Sequence, residues 1–220
     1  MRAKTPRKPD RPVLWIIAGP NGSGKSSLYN RTDIEGWGGS VWIINPDLLT
    51  AKIVETEQLL PMDANLAAVQ RVETWLDASI DAYQTVGVET VLSSSKYRRL
   101  VSKARQRGFE VRMIYVVLAT VDLQLERIRQ RVRDGGHDVP PDKVLDRRRR
   151  SFEELCWFAP QVDQLFVFDN SEGPPDLVAQ KQEGRIAIVG EMPVDLFDRL
   201  AAHDLLWLDD TDGPDQRSLD

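Results

Sequence analysis

The sequence predicts an α/β fold in which a parallel sheet of about five to six strands is covered by helices on both faces. Short apolar segments rich in β-branched residues alternate with longer segments of helical periodicity, which is typical of such sheets. The first apolar segment, 13–18, also runs directly into a glycine-rich loop that a helix follows. We therefore expect one three-layer domain over residues 12–207.

The glycine-rich loop indicates the class of this fold. Residues 19–26 read GPNGSGKS and match the pattern G-x-x-x-x-G-K-[ST] of a phosphate-binding loop. Gly22 and Gly24 lack a Cβ atom, so the backbone can turn its N–H groups inward around a phosphate. The strand before the loop argues against the alternative, a glycine-rich turn with an exposed lysine. The pattern predicts a P-loop NTPase fold that binds ATP or a similar nucleotide with Mg²⁺.

The two polar residues at the end of the loop have separate expected roles. Lys25 carries a positive charge that can reach the β- and γ-phosphates, and the Ser26 hydroxyl is placed to bind Mg²⁺. The helix that begins here adds free N–H groups, which favour anions. The predicted nucleotide-binding residues are Gly19, Pro20, Asn21, Gly22, Ser23, Gly24, Lys25, Ser26 and Ser27.

The segments after the loop predict the remaining elements in order. The strand 41–44 precedes Asn45, which suits a helix N-cap, and Pro46, which suits the first helical position. The predicted helix over 63–86 is expected to end at Gly87. The segment 109–118 is the most continuous apolar run and predicts a central strand. The other predicted helices span 63–86, 96–107, 122–134, 142–158 and 193–206, and the other strands span 88–92, 165–169 and 185–189.

Composition excludes several classes of protein. Of the 220 residues, 41% are hydrophobic and 29% are charged, which is typical of a soluble protein. The net charge of −5 argues against a protein that binds nucleic acid over its whole surface. No segment reaches the length of a transmembrane helix, and we read no signal peptide. We expect a basic tail over 1–11 and an acidic tail over 208–220.

The single cysteine, Cys156, indicates in which cellular compartment the protein acts. One cysteine excludes an intramolecular disulfide and fits a reducing cytoplasm, where we expect the protein to act. Cys156 lies in an apolar segment, so we expect a buried small hydrophobe rather than a nucleophile.

Polar residues that directly follow strands are expected to meet in one crevice, because the carboxyl ends of parallel strands share one edge of the sheet. They are Asp47, the segment 93–95 and Asp169, together with the phosphate loop. Asp47 is either the carboxylate that orients an acceptor hydroxyl or an acidic residue placed by the helix dipole. Glu89, inside a strand, is either engaged in a site or exposed at a strand end. The turn at 169–171 either meets the nucleotide base or ends a strand.

An arginine-rich segment over about 127–150 has the composition of a closing lid. Guanidinium groups stabilise the charge of a transferring phosphoryl group, and closure expels water. The alternatives are a solvated basic face or a patch for RNA or an acidic partner. Arg148 falls near an apolar stripe and is expected to point inward. The arginines are Arg127, Arg129, Arg131, Arg133, Arg147, Arg148, Arg149 and Arg150.

These motifs together resemble the zeta toxin family of phosphate-loop kinases, in particular its short zeta toxin-like branch. The match covers about 13–171, and the Gly-Gly-His-x-Val-Pro segment at 135–140 is its most specific part. The shared segments are 19–26, 44–47, 88–90, 131–140, 147–151 and 168–171.

The resemblance implies an ATP-dependent transfer of the γ-phosphate to a hydroxyl of a small molecule, a UDP-amino sugar such as UDP-N-acetylglucosamine. It implies that Lys25 and Ser26 hold ATP and Mg²⁺, that Asp47 is the catalytic base, and that Glu89 contacts the substrate. It also implies a toxin–antitoxin system with an antitoxin protein as partner. The implied catalytic residues are Lys25, Asp47, Arg131, Arg147 and Arg150, and the implied substrate-binding residues are Glu89 and Asp47.

Other functions share the same loop. A polynucleotide kinase or RNA-directed enzyme would use the arginines to follow a backbone, and steep salt dependence of binding would favour it. A non-catalytic ATP-binding regulator predicts nucleotide binding without a phosphorylated product. A GTPase switch is disfavoured because the sequence lacks an Asn-Lys-x-Asp motif, and a transport ATPase because it lacks Leu-Ser-Gly-Gly.

Overall fold

Strand β1, Val13–Ala18, lies between two parallel neighbours and carries the phosphate loop at its carboxyl end. The computed structural model describes residues 11–31, 42–134 and 139–207. Its other strands are β2 (Ile43–Ile44), β3 (Val86–Thr90), β4 (Glu110–Val117), β5 (Gln164–Asp169), β6 (Asp176–Gln182), β7 (Arg185–Ile188) and β8 (Leu206–Trp207). Its helices are α1 (Lys25–Arg31), α2 (Pro46–Glu57), α3 (Pro61–Asp81), α4 (Arg98–Gln106), α5 (Val121–Arg133), α6 (Pro141–Gln161) and α7 (Val194–Ala202).

The described strands form one sheet in the order β2-β3-β1-β4-β5-β6-β7-β8. Strands β2, β3, β1, β4 and β5 run parallel to one another, whereas β6 runs antiparallel to β5 and to β7. The carboxyl ends of the five parallel strands therefore share one edge. This edge holds the candidate site, as is usual for open parallel sheets.

Helices cover both faces of this sheet, so the predicted α/β class is confirmed. On one face, Leu76 of α3, Val101 of α4, Leu155 of α6 and Leu200 of α7 join a continuous core with alternate residues of the strands. On the other face, Leu28 of α1 packs on the opposite side chains of β1 and β4. Because β1 is buried on both sides, its uninterrupted apolar run needs no polar alternation.

The predicted number of strands is wrong, because the described sheet has eight. The sequence reasoning missed β6 and β8 and found only β7 of the last three strands. Strand β6 has only three consecutive apolar residues, 177–179, and is otherwise polar and partly buried, so its apolar run is too short to stand out. A tight turn at Glu183 and Gly184, both with positive φ, joins it to β7.

The boundary between α3 and β3 also differs from the prediction. Gly87 does not end a helix, because it lies inside β3 and pairs with Trp15 of β1. Helix α3 ends at Asp81, and Tyr83, at φ 56°, turns the chain toward the sheet. The Tyr83 ring packs edge-on against Phe109 at 5.4 Å between centroids, which holds this turn without a glycine.

Helix α2 begins as the sequence predicts. Asn45 is the N-cap, and its side-chain oxygen accepts hydrogen bonds from the backbone N–H groups of Asp47 at 2.9 Å and Leu48 at 3.2 Å. Pro46 occupies the first helical position, where its missing N–H costs nothing. This cap fixes where Asp47 leaves the edge of the sheet.

Arg148 points inward, as expected. It is 3% exposed, and its guanidinium donates to both carboxylate oxygens of Asp195 in α7 at 2.7 and 2.9 Å. It also donates to the Leu118 carbonyl at 3.0 Å and to Gln124 Oε1 at 3.3 Å. One side chain thus ties α6 to the end of β4, to α5 and to α7.

Some predictions fall on residues outside the described ranges. These are most of the basic tail over 1–11, the acidic tail over 208–220, and residues 135–138 of the predicted lid. The tails and the closing motion of the lid stay predictions.

Replacing Arg148 should destabilise the fold far more than replacing its neighbour. In Arg148→Ala, the Leu118 carbonyl and Gln124 lose a buried donor, so we expect a loss of roughly 2–4 kcal/mol in the free energy of unfolding. Arg149→Ala, which removes only an exposed ion pair with Asp146, should cost less than about 0.5 kcal/mol. Urea unfolding measures the free energy of unfolding of both variants. Equal losses of stability would contradict a stabilising role for the buried hydrogen bonds of Arg148.

Candidate functional site

A cleft of about 840 Å³ opens at the carboxyl edge of the sheet. This volume lies near the upper end of the range of roughly 300–1,000 Å³ that ligand pockets occupy. The phosphate loop forms one wall, the start of α2 and the segment after β3 form another, and α5 and α6 supply arginines. The predicted crevice therefore exists, and it is large enough for a nucleotide with a second molecule beside it.

The phosphate loop is held tightly from behind. Gly19 has φ 142°, and a Cβ atom there would lie 2.0 Å from the Val116 carbonyl oxygen of β4. Gly22 and Gly24 also have positive φ, as predicted from the need to turn N–H groups inward. Of the predicted loop residues, Gly19, Pro20 and Ser23 do not line the cleft. The six that line it are Asn21, Gly22, Gly24, Lys25, Ser26 and Ser27.

Lys25 is 6% exposed and lies under the loop. Its ammonium donates to the carbonyls of Gly19 at 2.8 Å and Pro20 at 3.1 Å. Burial lowers the pKa of Lys25, and Arg131 lowers it further, while Glu89 and Asp47 raise it. The two carboxylates therefore partly offset the cost of burying this cation.

Glu89 is buried beside the loop rather than exposed at a strand end. Its carboxylate accepts from Ser26 Oγ at 2.9 and 3.2 Å and from Asn45 Nδ2 at 2.9 Å. Asn45 Oδ1 meanwhile caps α2. One asparagine thus connects the carboxylate on β3 to the helix that carries Asp47.

Asp47 lies on the exposed first turn of α2 and lines the cleft opposite the loop. Burial lowers the pKa of both Lys25 and Lys96, and the Asp47 carboxylate partly opposes that lowering in each lysine. The Asp47 carboxylate therefore interacts electrostatically with two lysines that line the cleft. A reacting hydroxyl placed at Asp47 would lie in the same cleft as the phosphate loop.

The arginines of the predicted lid separate into two groups. Arg127, Arg131 and Arg147 line the cleft, and an Arg147 guanidinium nitrogen lies 3.4 Å from Asn21 Oδ1. Arg150 does not line the cleft, because its guanidinium pairs with Asp146 one turn earlier on α6, at 2.8 Å. The structure therefore brings Arg131 and Arg147 to the predicted site and leaves Arg150 outside it.

The turn after β5 reaches the phosphate loop. Asn170 Nδ2 donates to the Ser23 carbonyl at 2.8 Å, and an Arg127 guanidinium nitrogen donates to the Ser171 carbonyl at 2.9 Å. Asp169 accepts from Ser171 N at 2.7 Å, which closes the turn. The turn thus both ends the strand and supports the loop.

The geometry of the loop, its lysine and the facing carboxylates agrees with a sequence comparison. The profile of the family AAA_33, described as an AAA domain, matches residues 14–155. The chain belongs to this AAA domain family. The match runs from β1 into α6 and so includes the residues that line the cleft except Asn170 and Gly173.

This AAA domain is similar to a sequence relative and to solved structures, and the solved structures share its P-loop kinase-like fold. An uncharacterized protein of Haemophilus influenzae is 27% identical over 144 residues, which are 61% of this chain and 96% of that protein. A structure of the PezAT chromosomal toxin–antitoxin system of Streptococcus pneumoniae has a TM-score of 0.59 at 14% identity, over 92% of this chain and 82% of that chain.

A structure of AvrRxo1-ORF1:-ORF2 with ATP is similar at a TM-score of 0.60 and 18% identity, over 89% of this chain and 65% of that chain. At these identities the likeness shows the fold alone. The resemblance to phosphate-loop kinases that the sequence predicted is confirmed at the level of family and fold.

The residues of this AAA domain fit a bound Mg²⁺ ion. Ser26 Oγ and the Glu89 carboxylate, 2.9 Å apart, offer hard oxygen ligands at the start of α1. In the described ranges no cluster of three or more His, Cys, Asp or Glu side chains could hold a metal ion. Mg²⁺ commonly keeps several waters and binds one or two protein oxygens plus phosphates, so this small donor set suits it.

Sequence reasoning missed several residues of the cleft. Asn45 was identified as a helix cap, but its bond to Glu89 depends on the distance between β2 and β3 in space. Asn170 was named only as part of a turn, and Lys96 was not singled out at all. The available signal for both was their position just after predicted parallel strands, where side chains reach the carboxyl edge.

Two other predictions concern the chain as a whole. Cys156 is buried and free, and burial raises the pKa of its thiol to about 12, so it is a packed hydrophobe as expected. Across the described residues, every helix is too short or too polar to cross a membrane.

Gly19 tests how tightly the phosphate loop packs on β4. In Gly19→Ala, the clash with the Val116 carbonyl adds to the strain of positive φ, so we expect a loss of roughly 3 kcal/mol or more. Gly184→Ala has a positive φ but no atom within 4 Å of the new Cβ, so it should lose only about 1 kcal/mol. Thermal and urea unfolding measure the stability of both variants. A Gly19→Ala variant as stable as the wild type would contradict the close approach of Gly19 to the Val116 carbonyl.

Proposed function

We propose that this protein is an ATP-dependent kinase that transfers the γ-phosphate to a hydroxyl group of a small molecule. The observation that carries the proposal is the position of Asp47, which lines the same cleft as the phosphate loop and Lys25. Phosphoryl transfer to an alcohol needs a carboxylate near the terminal phosphate.

The phosphate loop is the donor half of the proposed site. Its backbone N–H groups hold the β-phosphate, and Lys25 turns from the loop carbonyls to the phosphate oxygens. Ser26 and Glu89 would hold Mg²⁺. When bound, this ion would neutralise part of the charge on the phosphates. ATP as the donor is supported by the similar fold of AvrRxo1-ORF1 in its structure with ATP.

Asp47 is the proposed base of the acceptor half. The acceptor hydroxyl donates its hydrogen bond to the Asp47 carboxylate while its oxygen faces the γ-phosphorus. The oxygen–phosphorus bond forms as the bond to the β–γ bridging oxygen breaks, the proton passes to Asp47, and ADP leaves.

The arginines over the cleft are proposed to stabilise the charge of the transferring group. Arg131 acts electrostatically on Lys25, so its guanidinium lies near the phosphate-binding region. Arg147 lies next to Asn21 at the tip of the loop. Arg131 lies on α5 and Arg147 lies on α6. The hydrogen bond from Arg148 to Gln124 holds these two helices together, so both arginines are positioned before substrate binds.

A metabolite extract tests the proposal without knowledge of the acceptor. The protein is incubated with ATP, Mg²⁺ and extract, and new phosphorylated species are detected by mass spectrometry. UDP-N-acetylglucosamine, the acceptor that the family resemblance implies, is tested as a pure compound in parallel. ATP binding without any product would favour the non-catalytic regulator, and RNA as the phosphorylated species would favour a polynucleotide kinase.

Removal of the loop lysine should weaken nucleotide binding. Lys25→Ala loses charge-assisted hydrogen bonds to the phosphates, so we expect the Kd for ATP to rise about 10- to 100-fold. Lys52→Ala removes a lysine that pairs with Glu55 on the surface of α2 and serves as the control. Isothermal calorimetry measures both, and an unchanged Kd in Lys25→Ala would contradict the phosphate-loop assignment.

Neutralisation of the proposed base should abolish transfer and spare binding. Asp47→Asn keeps the shape of the side chain but accepts no proton, so we expect kcat to fall about 10²- to 10⁴-fold. Glu55→Gln makes the same chemical change on α2 outside the cleft. Product formation is followed together with ATP affinity, and full turnover by Asp47→Asn would remove this residue from the mechanism.

The partner and the compartment are further parts of the proposal. A structure similar to this chain belongs to a chromosomal toxin–antitoxin system, so we propose an antitoxin protein as a partner. The single buried cysteine supports action in the reducing cytoplasm.

A further inference from the structure

One side chain from outside the phosphate loop binds the backbone of the loop. Asn170, in the turn after β5, donates from Nδ2 to the Ser23 carbonyl oxygen at 2.8 Å, although 147 residues separate the two in the chain. A carbonyl oxygen can only accept, so the amide nitrogen of Asn170, and not its amide oxygen, faces the loop. Asn170 also lines the cleft, and the proposed reaction gives it no role.

The amide of Asn170 lies at close range to the next residue of the loop. A Cβ atom built on Gly24 would lie 2.1 Å from Asn170 Nδ2 and 3.8 Å from a guanidinium nitrogen of Arg127. Gly24 also has φ 86°, so conformation and space both require a glycine here. The Asn170 amide thus occupies the volume that a side chain at position 24 would fill.

The turn that carries Asn170 is fixed by bonds that do not involve the Asn170 side chain. The Asn170 N–H donates to the Val117 carbonyl at 3.0 Å, and the Ala119 N–H donates to Ser171 Oγ at 2.7 Å. Arg127 of α5 donates to the Ser171 carbonyl at 2.9 Å. The side chain therefore approaches the loop from a fixed base, and its removal should leave the turn in place.

The contact determines the orientation of one peptide group of the loop. The peptide bond between Ser23 and Gly24 is trans and planar, so its carbonyl and its N–H point in opposite directions. Because Asn170 holds the Ser23 carbonyl, the Gly24 N–H points away from Asn170. Within the described residues this N–H donates to no backbone carbonyl. A free N–H in a loop of this type is available to a phosphate oxygen.

We propose that Asn170 is a positioning residue of the donor half of the site, which turns the Gly24 N–H toward the β-phosphate by holding the Ser23 carbonyl. Without the Asn170 donor this peptide group is free to rotate, and a carbonyl oxygen that faced the phosphate would repel it. Asn170 acts through Gly24 and not on the reacting atoms. The inference rests on the proposed kinase function and adds a residue outside the loop that sets the nucleotide affinity of the loop.

One amide signal reports the orientation of this peptide group. Residues 23–24 are the one Ser-Gly pair in the sequence, so ¹³C-carbonyl serine and ¹⁵N-glycine, introduced by cell-free synthesis, select the Gly24 amide in an NMR spectrum. Addition of ADP with Mg²⁺ should move the Gly24 amide proton of the wild type downfield, because the N–H then donates to a charged phosphate oxygen. In Asn170→Ala this downfield shift should be lost.

Calorimetry measures the affinity of the same variants for ADP. In Asn170→Ala we expect the Kd to rise about 5- to 10-fold, the effect of one hydrogen bond. Asn170→Asp keeps the shape of the side chain without the donor, so it should also lose the shift, and it carries the test if Asn170→Ala does not fold. Asn65→Ala removes the same side chain from the part of α3 that lines the cleft, and it should change neither the shift nor the Kd.

The wild-type protein separates failure of this inference from failure of the proposed function. The positioning role is overturned, with the kinase function intact, if the wild-type Gly24 amide does not shift when ADP binds. It is overturned in the same way if a folded Asn170 variant keeps the wild-type shift or the wild-type Kd. A wild-type protein that binds neither ADP nor ATP overturns the phosphate-loop assignment and the positioning role together.

Discussion

The parallel pairing of β1 with β3 and β4 is the constraint on which the site depends. The register sets Glu89 beside Ile17, one residue before β1 ends, so the carboxylate reaches Ser26 at the start of the next helix. On the other side, Val116 of β4 closes against Gly19. The phosphate loop is thus held by contacts with both β3 and β4. Its conformation therefore depends on the sheet as well as on its own residues.

Charge in the cleft is arranged before any ligand arrives. Lys25 and Glu89 are both buried, and the charge of each lowers the free-energy cost of burying the charge of the other. The Asp47 carboxylate also favours the buried Lys25 cation. Fixed charges of this kind stabilise a developing phosphoryl charge without the reorganisation that water would need. Burial also explains why Asn45 matters, since a buried carboxylate needs hydrogen-bond donors, and Asn45 supplies one to Glu89.

The C-terminal elements contribute to the site from a distance. Strands β6 and β7 extend the sheet beyond the parallel part, and α7 presents Asp195 to the buried Arg148. That contact joins α6 to α7, and a second hydrogen bond of Arg148, to Gln124, joins α6 to α5, so both helices that carry the cleft arginines are held. The antiparallel extension therefore supports the predicted lid at its base, although it supplies no residue to the cleft wall.

The sequence by itself determined the fold class, the phosphate loop and the capped start of α2, because these follow from local patterns of apolar runs, glycines and cap residues. It also named Asp47 and Glu89 as candidates. Only the tertiary structure decided that Glu89 binds Ser26 and Asn45, that Arg147 enters the cleft while Arg150 does not, and that Lys96 faces it. Those facts depend on strand order and helix rotation, and residues far apart in the chain settle both.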